Sequence, residues 1–176
     1  MSRQVAVINA GSSSIKFAVF QDDADQRLMF RGQVEKIGVA PHLEVEGPDG
    51  ETLVENDWGA SDLNHNSATK IILQTSIGLL GGEAIEVIGH RVVHGGIEFA
   101  APVRLNAAVV AKLEKLVPLA PLHQPHNLSP IRALLERMPN VPQVACFDTA
   151  AHRSNPAIAQ MFALPAELTE SGVRRY

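Results

Sequence analysis

Two short runs near the start of the chain, residues 5–8 (VAVI) and 17–20 (FAVF), are apolar at successive positions rather than at alternate ones. Such runs read as strands buried on both faces of a sheet. Residues 9–16 (NAGSSSIK) join them as a polar turn, so the first element is a hairpin. After a charged turn at 21–26, residues 28–34 read as a third strand. Residues 42–46 and 51–55 flank Gly47-Pro48-Asp49-Gly50 and form a second hairpin, in which Leu43, Val45, Leu53 and Val54 are scaffold. Ala68, Ile71, Ile72, Thr75 and Leu79 fall at helical spacing and predict a helix over 62–80 that stops at Gly81-Gly82, following a loop at 57–61 that carries Trp58.

Residues 85–89 read as a further buried strand. Asn106 caps a helix whose Val109, Val110, Leu113, Leu116 and Val117 form one face, ended by Pro118. Another helix is expected to begin near 127–130, with Ser129-Pro130 as cap and first position, and to run to Met138. Residues 141–147 form the next strand; 156–162 and 165–171 are short helical turns, with Gly172 as the stop. The alternation of strands and helices predicts an α/β domain built on a mixed sheet.

Composition narrows the class. A chain of 176 residues with 45% hydrophobic content is long enough for one domain with a substantial core. Its net charge of −4, with no basic run, argues against nucleic-acid binding, which needs clustered Lys and Arg. The lone Cys146 cannot form an internal disulfide, which suits a reducing compartment. Residues 1–8 lack a signal-peptide core, because the apolar stretch is broken at Asn9, and no run approaches the roughly 20 residues of a membrane span. A cytoplasmic chain with no membrane or nucleic-acid partner is therefore expected.

Candidate chemistry gathers in three places. In the first turn, Gly11 permits the positive φ that a tight turn uses, and Ser12, Ser13 and Ser14 offer hydroxyls and amides that can converge on an anion beside Lys16. The pattern lacks a P-loop's second glycine and continues as a strand, so a phosphate-cradling hairpin is the functional reading; an ordinary Ser/Gly turn is the alternative. Asn9 and Lys16 each sit among apolar neighbours, where an unpartnered polar group costs several kcal/mol. The second place is His90, Arg91 and His94, at the end of a strand, where ligands of α/β sheets bind. Arg91 calls for an anion, either a ligand or a structural carboxylate. His90 and His94 have the spacing of zinc ligands on a helix, but on a strand their rings do not converge. The third is Asp148, at the end of the 141–147 strand and followed by Thr149 and His152. A turn or capping role is its alternative. Between them, the proline-rich loop 120–126 presents Leu122 and His123, the latter bonding either a phosphoryl oxygen or a loop carbonyl.

The stretch NAGSSSIKF resembles the amino-terminal phosphate signature of the acetate kinase family, within the actin, Hsp70 and sugar-kinase superfamily. GHRVVHGG at 89–96, APLHQPHNL at 120–128 and VACFDTAAH at 144–152 repeat the match in order. The resemblance implies a ribonuclease-H-like domain of the actin and Hsp70 ATPase type, with helices flanking a mixed sheet. It implies reversible phosphoryl transfer from ATP to acetate with Mg²⁺, or alternatively Mn²⁺, in the cytoplasm and usually by a homodimer. By the same carry-over Asn9 takes the metal position, Ser12, Ser14 and Lys16 the phosphate positions, and Arg91 the contact to the acyl substrate. His123 joins the substrate site, Asp148 takes the position of the catalytic acid or base, and Val93 and Leu122 line the pocket for the substrate methyl. Gln124, His126 and Ala151 depart from the residues usual there. Residues 1–176 correspond to the amino-terminal domain, and the family carries a second, nucleotide-binding domain that this chain does not supply. The same resemblance leaves a propionate or butyrate kinase open, and a non-catalytic actin-like nucleotide-binding protein would share the hairpin without needing Arg91 and Asp148.

Overall fold

A computed structural model describes residues 3–60, 63–152 and 155–175; the predicted helix start at Asp62, the loop end at Ser61 and the closing Tyr176 lie outside the described residues. The strands are β1 (Gln4–Ala10), β2 (Ile15–Gln21), β3 (Leu28–Glu35), β4 (His42–Glu46), β5 (Thr52–Asp57), β6 (Ile85–Val92), β7 (Val103–Arg104) and β8 (Gln143–Phe147). They form one sheet in the order β5-β4-β3-β2-β1-β6-β8-β7. Consecutive strands from β1 to β5 pair antiparallel, whereas β1 with β6 and β6 with β8 are parallel. Antiparallel β3-β2-β1 continued by parallel β6 and β8 is the mixed sheet of the expected ribonuclease-H-like class.

Parallel neighbours need crossovers, and these supply the helices. The first crossover ends in α1 (His65–Leu80) and the second holds α2 (Ala107–Glu114) and α3 (Gln124–Arg137); a short α4 (Ala166–Glu170) follows β8. Helices α1 and α3 pack on each other and on the central strands. They bury the inward side chains of the central strands, among them Ile8, Phe17, Val19, Phe30 and Ile88, against Leu134 of α3. A side chain of that size contributes about 1.5–3 kcal/mol on full burial. A second cluster of Val92, Leu113, Leu128, Ile131 and Phe147 fills the space under α2 and α3, with Phe99 and Phe147 stacked at 5.3 Å.

Only one face of the central strands is sealed in this way, which corrects the reading of β1 and β2 as buried on both sides. Ala6, Ile8 and Ala10 are buried, but Val7 is 40% exposed, and Lys16 is exposed as well. The strict period of two puts Val7, Asn9, Lys16, Ala18 and Arg31 on the open face, where they line a groove of about 430 Å³. Lys16 is exposed, so the cost that an unpartnered charge would carry among apolar neighbours does not arise there.

Helix boundaries follow their caps. Asn64 Oδ1 accepts from Ser67 N–H at 3.0 Å and starts α1 at His65, later than the expected 62, and Gly81 ends it at φ 59° as expected. Asn106 caps α2 through Val109 N–H at 2.9 Å. Helix α3 begins earlier than the Ser129-Pro130 signal suggested. Pro125 occupies the first turn, where its missing N–H costs nothing, and Pro130 is carried inside the helix at the loss of one backbone bond. The two-residue β7 pairs antiparallel with β8 and has no sequence signal.

Candidate active site at the carboxyl ends of the parallel strands

Three of the predicted residues meet on the open face because of register. Ile8 lies beside His90 in the β1–β6 ladder, so Asn9 is level with Arg91, and Arg91 lies beside Cys146 in the β6–β8 ladder. Asp148 follows two residues later on the same face as Cys146. The guanidinium of Arg91 donates from Nε to Asp148 Oδ1 at 3.0 Å and from Nη2 to Asp148 Oδ2 at 2.5 Å. Its Nη1 donates to Asn9 Oδ1 at 3.0 Å. Of the five N–H groups of an arginine, two are thus left to meet the oxygens of a ligand. The Arg91 and Asp148 side chains are 47% and 41% exposed, so this is a charged fork at the mouth of a crevice and not a buried ion pair.

Strand β6 continues through Val92, beyond the expected end at 89, and its period of two separates the polar cluster that the sequence suggested. Arg91 faces the crevice. His90 faces the helices instead, 2% exposed, with Nε2 2.9 Å from Gln143 Oε1. Burial pushes the His90 ring down to about 4, and the bond to Gln143 only partly opposes it. His94 is also buried, its ring lowered by desolvation, and its Nδ1 accepts from Gly96 N–H at 2.9 Å. His90 is thus turned away from the site.

The serine turn stands beside this group. Lys16 pairs with Asn9 across the β1–β2 ladder, and Gly11 N–H donates to the Ser14 carbonyl at 2.8 Å to close the turn. Gly11 is not at positive φ, and a Cβ there would find its nearest neighbour, the Ser14 carbonyl, at 3.6 Å. The glycine is therefore not required by backbone conformation, contrary to expectation. Ser12 is exposed and Ser14 half-buried. Two side chains from the helical layer hold the turn from below: His65 Nε2 lies 2.7 Å from the Gly11 carbonyl, and Asn127 Nδ2 donates to the Ala10 carbonyl at 2.6 Å. His65 packs against His126, with ring centroids 4.5 Å apart and the planes tilted by 33°. Burial first, then the charges of His65 and His123, keep His126 below the ordinary histidine range.

His123 occupies the N-cap of α3, exposed and without a side-chain capping bond. Leu122 is 73% exposed. Val93 is half-buried, its N–H donating to Asn127 Oδ1 at 2.9 Å. No hydrogen bond among the described residues joins Leu122 or the His123 ring to the Asn9, Arg91 and Asp148 group. Asn127 and His65 were missed as site residues. A signal for Asn127 existed: with α3 started at Gln124, the buried polar Gln124 and Asn127 fall on the same face as Leu128 and Ile131.

The described residues contain no group of three or more His, Cys, Asp or Glu side chains placed to hold a metal. Mg²⁺ does not need one. It is held by one or two protein oxygens together with substrate phosphates and water, and the Asn9 carbonyl and the Asp148 carboxylate, both bonded to Arg91, are hard oxygen donors of that kind.

Residues 4–176 match the Acetokinase family. The acetate kinase of Nitrobacter hamburgensis is 43% identical over 181 residues, covering 98% of this chain and 43% of that protein. The acetate kinase of Rhodopseudomonas palustris is 42% identical over 179 residues, covering 100% of this chain and 45% of its own length. Among solved structures, Porphyromonas gingivalis acetate kinase superposes with a TM-score of 0.86 at 35% identity, and a propionate kinase from Francisella tularensis with 0.85 at 31%; each match covers 99% of this chain and 44% of the other. The chain thus spans less than half the length of these relatives, and by its sequence and its fold it belongs to the acetokinase family.

Proposed function

We propose that this chain is the amino-terminal domain of an acetate kinase, which transfers the γ-phosphoryl group of ATP to acetate and gives acetyl phosphate and ADP. The observation that carries the reading is the Arg91 fork, tied on one side to Asp148 and on another to Asn9, with two N–H groups left beside a serine turn. A carboxylate oxygen of acetate attacks the γ-phosphorus as the bond to the ADP oxygen breaks. Charge then spreads over the transferred group, and the protein's task is to place the reactants and neutralise that charge. Arg91 supplies a fixed planar donor pair for it. Acetate is ionised at neutral pH, so its attack needs no base. Asp148 serves the step by holding the guanidinium in place. Ser12, Ser14 and Lys16 take the nucleotide phosphates, and Val93, Leu122 and His123 border the acyl group.

Asn9, with Asp148 nearby, would hold Mg²⁺ or Mn²⁺, which would supply positive charge to offset that of the phosphates. A carboxy-terminal domain beyond this chain completes the nucleotide site and excludes water. The protein works in the cytoplasm as a homodimer, without a membrane or nucleic-acid partner. Propionate is the second acceptor to consider, because a propionate kinase superposes as closely as an acetate kinase. One methylene is worth only about 1–3 kcal/mol of discrimination. Hydroxamate trapping of acyl phosphate by the complete protein, with ATP and either acid, tests the reading. Turnover with acetate above that with propionate is expected; no acyl phosphate from either acid would refute it.

A further inference from the structure

The carboxyl ends of β1 and β6 part where a side-chain amide stands between them. Ile88 N–H donates to the Pro142 carbonyl at 3.0 Å, so in β6 the even-numbered amides serve β8 and the odd-numbered ones face β1. With Ile8 beside His90, one further step of the ladder would join Val93 N–H to the Ala10 carbonyl. That bond is replaced by two in series. Val93 N–H donates to Asn127 Oδ1 at 2.9 Å, and Asn127 Nδ2 donates to the Ala10 carbonyl at 2.6 Å. A carboxamide has the donor and acceptor of a peptide unit, so it can enter a ladder without leaving either strand unsatisfied. Asn127 is 2% exposed.

The two segments it joins are the two halves of the site. Ala10 leads into the serine turn, and Val93 follows Arg91 by two residues. Gln124, one helical turn earlier, makes a useful contrast: its amide bonds the N–H and carbonyl of His94 and the Leu113 carbonyl, and reaches neither Ala10 nor the turn. We propose that Asn127 is a positioning residue that wedges β1 from β6, sets the spacing between the phosphate turn and the acyl-site segment, and transmits displacement of one to the other. The names of the two half-sites rest on the function proposed above; the wedge itself rests on geometry. By holding the strands apart it keeps open the crevice at their carboxyl ends, the place where ligands of such sheets bind.

The test is amide NMR on this chain, with inorganic phosphate as the probe. In the parent chain phosphate should shift the amides of Ser12 and Ser14 and, with the same midpoint, that of Val93. In Asn127→Leu, which fills the space and bonds neither strand, phosphate affinity should fall about tenfold and Val93 should stop responding. A general loss of stability would not abolish the Val93 response alone. Without ligand, amide exchange at Gly11 and Val93 should accelerate together while Ile88, inside the ladder, stays protected. Asn127→Asp keeps the acceptor for Val93 and loses the donor to Ala10. It should free the turn while Val93 stays protected, and it carries the test if Asn127→Leu does not fold. A folded variant that binds phosphate within about twofold of the parent, with Val93 still shifting, overturns the proposal. If the parent chain does not bind phosphate, the phosphate-turn reading fails; the wedge then stands on joint acceleration at Gly11 and Val93 and falls if Asn127→Leu accelerates only one of them.

Discussion

Arg91 and Asp148, 57 residues apart in the chain, meet as a two-pronged ion pair with Nε to Oδ1 at 3.0 Å and Nη2 to Oδ2 at 2.5 Å. The pair is made by parallel register: β6 and β8 lie side by side, and both residues stand at strand ends that share one face. Asn9 at the end of β1 completes the row at 3.0 Å from Nη1. Three neighbouring strands thus each place one polar group at the same edge of the same open face.

Lys16 and Ser12 stand in or beside a turn, exposed, so their removal should leave the fold intact. In the complete protein Lys16→Ala and Ser12→Ala are each expected to cost roughly 1.5–3 kcal/mol of nucleotide-dependent turnover, the value of a charge-assisted hydrogen bond. Steady-state kinetics against ATP measures it, and an unchanged dependence on ATP for Lys16→Ala would remove the turn from the phosphate site.

His90 should give the fold an acid-sensitive step. Its ring is pushed down to about 4 in the folded chain by burial, against about 6.5 when unfolded. Between those values the unfolded chain binds a proton that the folded chain refuses, so stability falls as pH drops through that window and this contribution is constant above it. At pH 5 the loss amounts to about 2 kcal/mol relative to pH 7. His90→Gln does not titrate; the difference in urea midpoint between pH 7 and pH 5 should therefore be larger for the parent chain than for the variant. Equal differences would mean that His90 is protonated in the fold.

Gly95 lies under the strand ends with no room for a side chain. A Cβ there would come within 2.8 Å of both the Phe147 ring and the Phe99 carbonyl, while Gly95 N–H donates to Thr149 Oγ1 at 3.0 Å. Gly95→Ala should destabilise by about 1–3 kcal/mol through overpacking, read as a lowered melting midpoint. An unchanged midpoint would show that the Phe99 and Phe147 stack yields at little cost.

Much of this was legible in the sequence, for identifiable reasons. The hairpin β1–β2, the strand leading to Arg91 and the strand leading to Asp148 carry apolar runs bounded by polar residues, and chemistry at a strand's end follows from the architecture. What escaped was facing. His90 and Arg91 are adjacent and polar, yet a period of two sends one into the core and the other into the crevice. Burial on one face or both is set by layers that a local pattern does not contain, which is why Val7 and Lys16 proved exposed. Pro130 resembles a first-turn proline, so the local pattern points to a later start for α3 than the one observed. A late start leaves Gln124 and Asn127 off the helix's buried face, and their partners at His94, Ala10 and Val93 are brought to them by the fold alone.

Replacement of Arg91 by lysine shows whether its guanidinium fork contacts the reacting groups. A lysine keeps the charge but cannot hold Asp148 with two prongs, reach Asn9 and still present a planar donor pair. Acyl-phosphate formation by the complete protein should fall by about a hundredfold or more in Arg91→Lys, the loss typical of a removed transition-state donor. The acetate dependence should weaken with it. Near-normal turnover and unchanged acetate dependence in the folded variant would contradict the account and leave Arg91 and Asp148 as a structural ion pair.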